Sequence, residues 1–138
     1  MLKIVEQKID VQEVIDSVIS PECGAVAVFI GTVRNNSNGK LVTGILYEGY
    51  RSMAEKTLNM IAGEISKKWK PSRVSIVHRI GKLKVGEPSV VIAVGTPHRK
   101  EAFEACRFAI EEIKKQLPVW KQEFYKNGKG WVRGKRLR

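Results

Sequence analysis

Between Gly95 and Lys121 the chain reads GTPHRKEAFEACRFAIEEIKKQLPVWK, and no other stretch narrows the fold as much. Thr96 and Pro97 suit a helix start. Thr can cap, and Pro fits the first helical position because its missing N–H had no partner there anyway. Ala102, Phe103, Cys106, Ala109, Ile110, Ile113 and Leu117 then recur at the helical period and predict one buried stripe. Pro118 cannot continue the helix, and it drives Leu117 into extended backbone. The stretch therefore predicts a strand end, a helix, a proline stop and a second extended segment.

Four basic side chains punctuate this unit: His98 and Arg99 at its start, Lys114 in its last turns, and Lys121 past the break. At about 100° per residue, Lys114 falls roughly 20° round from Phe103 and roughly 40° from Ile110. It stands at the edge of the apolar stripe, away from the face carrying Glu101, Glu104 and Glu112. A lysine there can bury its stem and present its amine at the rim of a cleft, and an ordinary snorkelling lysine fits the same place. Pro118 is expected to end the helix so that Lys121 turns back towards Lys114.

The rest of the chain supplies strands and two more helices. Leu2–Ile9 predicts a short strand. Asp10 caps a small helix with Glu13 as its capping-box partner, its buried side being Val11, Val14, Ile15, Val18 and Ile19, and Ser20-Pro21 ends it. Cys23–Arg34 is nearly continuous and apolar, which predicts a buried strand. It ends in Phe29, Gly31, Thr32 and Arg34 and leads into the polar, glycine-bearing NNSNGK, expected to be a mobile loop. Arg34 could clamp an anion there or lie in solvent. Val42–Tyr50 predicts a strand. Ser52 begins a helix through a second capping box with Glu55, with Met53, Ala54, Leu58, Ile61, Ala62, Ile65 and Trp69 inward, and Pro71 stops it. Arg73–Ile80 alternates as a strand and puts His78 on its more apolar face, the setting of a hydrogen-bonded structural histidine. Gly81–Glu87 reads as a turn and Ser89–Gly95 as a buried strand. After Val119–Tyr125, Asn127-Gly128 signals a hairpin, with Trp131 and Val132 starting the return. The order β-α-β-β-α-β-β-α-β-β is α+β, with mixed or antiparallel pairing, in one domain spanning 1–138.

Composition excludes several function classes. No apolar run approaches a membrane span and no signal pattern opens the chain, so a cytoplasmic protein is expected. Cys23 and Cys106 lie far apart, with neither a disulfide framework nor a zinc pattern. Walker, dinucleotide, H-E-x-x-H and G-x-S-x-G motifs are absent, and no carboxylate cluster suggests a metal. The formal charge of +11 calls for an anionic partner: nucleic acid, an acidic protein or a phosphorylated small molecule. Charge alone does not choose among them. A nucleic-acid module would want aromatics between its basic residues, and none is evident. The tail residues Arg133, Lys135, Arg136 and Arg138 could grip phosphate or merely solubilise. The candidates that converge are basic: Arg34, His98, Arg99, Lys114 and Lys121. Together they suit a phosphorylated substrate or a developing anion, with lysine as acid or base and His98 able to shuttle protons.

Five segments carry a specific resemblance: GAVAVFIGTVRNNSNGK (Gly24–Lys40), LYEGYRSMAEK (Leu46–Lys56), HRIGKLKVGE (His78–Glu87), HRKEAFEACRF (His98–Phe108), and the lysine pair of Lys114–Lys121 ending in PVWK. In order and spacing, from about residue 24 to Trp131, the chain resembles the large, catalytic subunit of molybdopterin synthase. The resemblance implies an α/β-hammerhead-like core with an additional small antiparallel β lobe. It implies transfer of two sulfurs to cyclic pyranopterin monophosphate, forming the dithiolene of molybdopterin, with no cofactor and no metal. The sulfur donor would be a small ubiquitin-like subunit bearing a thiocarboxylate on its C-terminal Gly-Gly. Two large subunits would form the central homodimer of a heterotetramer. By the same resemblance Lys114 and Lys121 are catalytic. Thr32, Val33, Arg34, His98, Arg99, Gln122 and Glu123 join them in binding substrate, and Arg99 is a candidate to serve the neighbouring subunit. The family often has a basic residue where Gln122 stands. A non-catalytic scaffold for the small partner is the alternative this resemblance leaves open.

Overall fold

The structure, a computed structural model, describes residues 1–126 and the strand formed by residues 128–131. Asn127, Val132 and the tail residues Arg133, Lys135, Arg136 and Arg138 lie outside the described residues. In chain order the elements are β1 (Leu2–Val5), α1 (Val11–Asp16), β2 (Ala25–Thr32), β3 (Asn36–Ser37), β4 (Lys40–Gly49), α2 (Arg51–Lys68), β5 (Arg73–Arg79), β6 (Gly81–Lys84), β7 (Pro88–Thr96), α3 (Arg99–Gln116), β8 (Val119–Tyr125) and β9 (Gly128–Trp131). The class is α+β, as expected. The pairing is mixed: β1 runs parallel to β5, and the other pairs are antiparallel.

Two sheets divide the work. The first has the order β1-β5-β7-β2. The helices α2 and α3 cover one of its faces, burying Ile76, Ile92 and Val94 beneath Leu58, Ile61, Ile65, Ala105, Ala109 and Ile113. The short α1 covers part of the other face, where Val14 and Val18 meet Val77, Val91 and Ala93. The second sheet has the order β3-β4-β8-β9, with β6 also paired to β4. Its Val42, Ile45, Tyr47, Leu83 and Val119 join the main core.

Several expectations change in ways that have physical causes. Asp10 caps α1 by accepting from the Glu13 N–H at 3.1 Å, but the helix ends at Asp16, so Ile19 leaves the buried side and is exposed. β2 is not buried on both faces. It is an edge strand, and a six-residue α1 does not reach across it, so Val26, Val28 and Ile30 remain exposed. NNSNGK forms a tight hairpin between β3 and β4, with Asn38 and Gly39 at positive φ, the backbone that an Asn-Gly pair favours. α2 begins at Arg51 after Tyr50, with no side-chain cap. The Glu55 carboxylate instead accepts the Ile4 N–H at 3.2 Å, satisfying a donor of the edge strand β1. Met53, one position from Ala54, is rotated off the core face and exposed. KLK in β6 is a strand rather than a turn, paired to Gly44–Tyr47.

The helix at the centre of the sequence reading starts two residues late. Thr96 Oγ1 donates to the His98 carbonyl at 2.6 Å, and His98 occupies the cap position without a side-chain cap bond. The buried stripe of α3 is Ala102, Ala105, Cys106, Ala109 and Ile113. Phe103 is displaced from it and exposed. Leu117 is extended at φ −65°, ψ 121°, and β8 follows at once, as the proline break predicts. β9 begins at Gly128, which pairs with Tyr125, so the return strand starts three residues ahead of Trp131.

Candidate active site

The end of β2 carries a register shift between Gly31 and Thr32. Such a bulge re-aims the side chains that follow it, and here Thr32 and Arg34 line a cleft of about 380 Å³. Ser89 of β7 lines the same wall, and its Oγ donates to the Gly31 carbonyl at 3.2 Å. Gly31 is needed at this spot, since a Cβ there would come 2.8 Å from Val90 Cγ1.

β4 and β8 form the second wall. In their antiparallel register Tyr47 faces Lys121 and Ile45 faces Glu123. Partners in register share a face, as do residues two apart on one strand. All four therefore point the same way, and all four line the cleft. α3 supplies the rim. Ile110 and Lys114, four apart and so on one helical face, both line the cleft. Lys114 is exposed and Lys121 half-buried. The break at Pro118 thus returns Lys121 to the cleft that Lys114 borders.

Among the described residues, three cationic side chains and one carboxylate set the electrostatics. Burial holds the Lys121 amine below the usual lysine range; Arg34 and Lys114 add to that, and Glu123 opposes it. Glu123 is only 6% exposed. Its Oε1 accepts from Ser37 Oγ at 3.1 Å and from the Tyr125 hydroxyl at 2.8 Å. Burial pushes the Tyr47 phenol up, and the Glu123 charge adds to this while a bond with Ser89 opposes it. Behind Tyr47 stands His78, fully buried, its ring edge-on to the Tyr47 ring at 5.4 Å. His78 Nδ1–H donates to the Arg79 carbonyl at 2.8 Å, and burial takes its pKa down to about 4. It is the structural histidine its strand position implied.

The remaining candidates are not in this cleft. The Val33 side chain is core, and its backbone bonds Glu87 and Gly86. Gln122 is buried but points to the opposite face of β8 by strand alternation. His98 and Arg99 are exposed at the start of α3. At 1.5 Å per residue they stand about 22 Å along the helix from Lys114. Cys106 does not line the cleft, and burial pushes its thiol up to about 11. Among the described residues no group of three His, Cys, Asp or Glu could hold a metal, and no helix is long and apolar enough to cross a membrane. Tyr47, Ser89 and the Ser37–Glu123–Tyr125 network escaped the sequence reading. Alternation does put Lys121, Glu123 and Tyr125 on one face of a strand, but only the pairing register adds Tyr47.

Residues 4–116 match the family model described as MoaE protein. The chain belongs to the MoaE family. The match includes Arg34 and Lys114 and stops short of Lys121. Among relatives of this MoaE chain, the molybdopterin synthase catalytic subunit of Halalkalibacterium halodurans is 50% identical over 129 residues, 94% of this chain and 83% of that protein. The human molybdopterin synthase catalytic subunit is 40% identical over 131 residues, 95% of this chain and 70% of that protein. Among solved structures, the molybdopterin synthase of Staphylococcus aureus superposes with a TM-score of 0.91 at 42% identity, covering 94% of this chain and 95% of that one.

Proposed function

We propose that the chain is the catalytic subunit of a molybdopterin synthase, acting as one domain and residing in the cytoplasm. It transfers sulfur from the C-terminal Gly-Gly thiocarboxylate of a small ubiquitin-like subunit to cyclic pyranopterin monophosphate, twice, to make the dithiolene of molybdopterin. The observation that carries this reading is the convergence of Arg34, Lys114 and Lys121 on one cleft. A phosphorylated substrate needs fixed cations. So does the acyl oxyanion that forms when a thiocarboxylate gives up sulfur and water supplies the replacing oxygen.

Lys114, at the rim, meets the incoming thiocarboxylate and acts as acid or base. Lys121, its amine depressed by burial and neighbouring cations, is closer to giving up a proton than an ordinary lysine and serves as its partner. Arg34 and Thr32 hold the phosphate side of the substrate. Glu123 lines the cleft, while Val33 and Gln122 contribute backbone. Sulfur arrives from the partner, which suits a chain whose Cys106 thiol is buried and held protonated. No cofactor or metal is required.

His98 and Arg99 are too far from the Lys114 of their own subunit to share its cleft. In this reading they complete the cleft of the neighbouring subunit in a central homodimer, with a small subunit at each outer end. The test is turnover of the cyclic pterin with thiocarboxylated partner. Lys114→Ala is expected to abolish nearly all conversion while far-UV circular dichroism and melting stay as in the wild type. Near-normal turnover by this variant overturns the assignment.

A further inference from the structure

Glu123 is an unusual occupant of a cleft that otherwise gathers cations. It is buried, yet its carboxylate is not left to find its own partner. Two hydroxyls converge on the same oxygen, Ser37 Oγ from the β3–β4 hairpin at 3.1 Å and the Tyr125 hydroxyl from β8 at 2.8 Å. Hydrogen bonds donated to a buried carboxylate counteract the cost of burying it and fix where it sits. Tyr125 is itself held from outside, with Lys40 Nζ 5.0 Å from the centre of its ring.

We propose that Ser37 and Tyr125 are positioning residues of the cleft: their hydroxyls hold the Glu123 carboxylate in place beside Lys121, so that the β3–β4 hairpin sets the field at the catalytic lysine. Among the described residues, several groups face Lys121. Arg34 comes from the end of β2, Lys114 from α3, Tyr47 from β4 and Ser89 from β7, and Glu123 lies two residues along the same strand. Of these, Glu123 alone brings negative charge at neutral pH. If its two donors are lost, the carboxylate is no longer held facing Lys121. The pull of that charge on Lys121 then weakens while Arg34 and Lys114 remain, and its amine deprotonates more readily.

The inference rests on the reading of Lys121 as catalytic, but its test needs no turnover. Competitive acetylation by acetic anhydride across pH, read at each lysine by peptide mass spectrometry, gives a midpoint and a plateau for Lys121, with the exposed Lys67 as internal standard. In Ser37→Ala/Tyr125→Phe the midpoint is expected to move to lower pH, so that Lys121 labels about three- to tenfold faster on the rising limb, with the plateau unchanged. Ser37→Thr, which keeps the hydroxyl, should label as the wild type does. Glu123→Gln should move the midpoint at least as far as the double variant. An unchanged midpoint in the double variant overturns the inference, whether or not Glu123→Gln moves it. A raised plateau at constant midpoint overturns it too, since that reports greater access rather than altered charge. Failure of the catalytic reading shows elsewhere, as normal turnover in Lys114→Ala.

Discussion

The two ends of α3 carry the same kinds of side chain in unlike settings. At the C-terminal end Lys114 borders a cleft with Lys121 and Arg34, backed by Tyr47 and a buried carboxylate. At the N-terminal end His98 and Arg99 are exposed, and neither lines that cleft. Helix geometry makes the difference instructive. The C-terminal end runs into Pro118, and the chain doubles back as β8, so residues close in sequence become close in space. The N-terminal end follows β7, and among the described residues no returning strand encloses it. In the proposed function a basic residue at the first end works with its own subunit, and one at the second end works with the neighbouring chain.

The comparison predicts its largest effect at the enclosed end. Lys121→Ala should lower turnover by about two to four orders of magnitude, the range for losing a positioned acid or base. Lys121→Arg should not restore it, because a guanidinium keeps its charge and cannot exchange a proton. Steady-state kinetics at saturating partner measure both. Recovery by arginine would reduce Lys121 to a fixed charge and weaken the contrast with Arg99.

The open end is tested by mixing subunits. Lys114→Ala and Arg99→Ala should each be impaired alone. If each cleft takes Lys114 from one subunit and Arg99 from the other, a mixed dimer contains one cleft with both defects and one with neither. Random reassortment of an equal mixture should then return about a quarter of the wild-type activity. No recovery after verified subunit exchange would place Arg99 outside the reaction, or the dimer in another arrangement.

Two histidines sharpen the same contrast through stability. His98 is exposed, whereas His78 is buried behind Tyr47 and its pKa is taken from an ordinary 6.5 down to about 4. The folded chain thus holds His78 neutral over a range in which the unfolded chain would protonate it. The stabilisation is complete above about pH 6.5 and is lost as pH falls towards 4, by up to about 3 kcal/mol. Urea unfolding between pH 7 and pH 4 should show this slope. His78→Asn retains a donor for the Arg79 carbonyl without titrating, so it should lower stability overall but remove that component of the slope.

Much of this was legible from sequence where one chemical constraint sufficed. Pro118 fixes the end of α3, and helical angle alone puts Lys114 on the face of Ile110, with which it lines the cleft. The cations of the cleft follow from strand end, helix and break. What escaped depends on pairing. β6 offers a single apolar residue, Leu83, between lysines, so four residues carry no usable period; β4 supplies the strand character by pairing with it. Tyr47 enters the cleft because it lies opposite Lys121, a register that neither strand encodes alone. The exposure of Phe103 and Met53 reflects the same dependence, since where a stripe ends is set by the surface it packs on.

The hairpin at Asn38-Gly39 offers the smallest effect and bears on why only one end of α3 is enclosed. It brings Ser37 to Glu123, and among the described residues the N-terminal end has no matching element. Gly39 adopts φ +81°, and a Cβ there would meet nothing within 4 Å. The cost of Gly39→Ala is therefore conformational, not steric crowding by neighbours. It should be about 1 kcal/mol, for a side chain forced into left-handed backbone. For a chain of this length that corresponds to a fall in Tm of about 3–4 °C. Asn38→Gly, at φ 51°, relieves rather than adds strain and should change Tm by less than that. Turnover of Gly39→Ala should stay within about threefold of wild type, because the pairs Asn36–Leu41 and Ser37–Lys40 still hold the strand carrying Ser37. A much larger loss of turnover at the same small cost in Tm would show that the hairpin's shape, beyond the single Ser37 bond, governs the cleft.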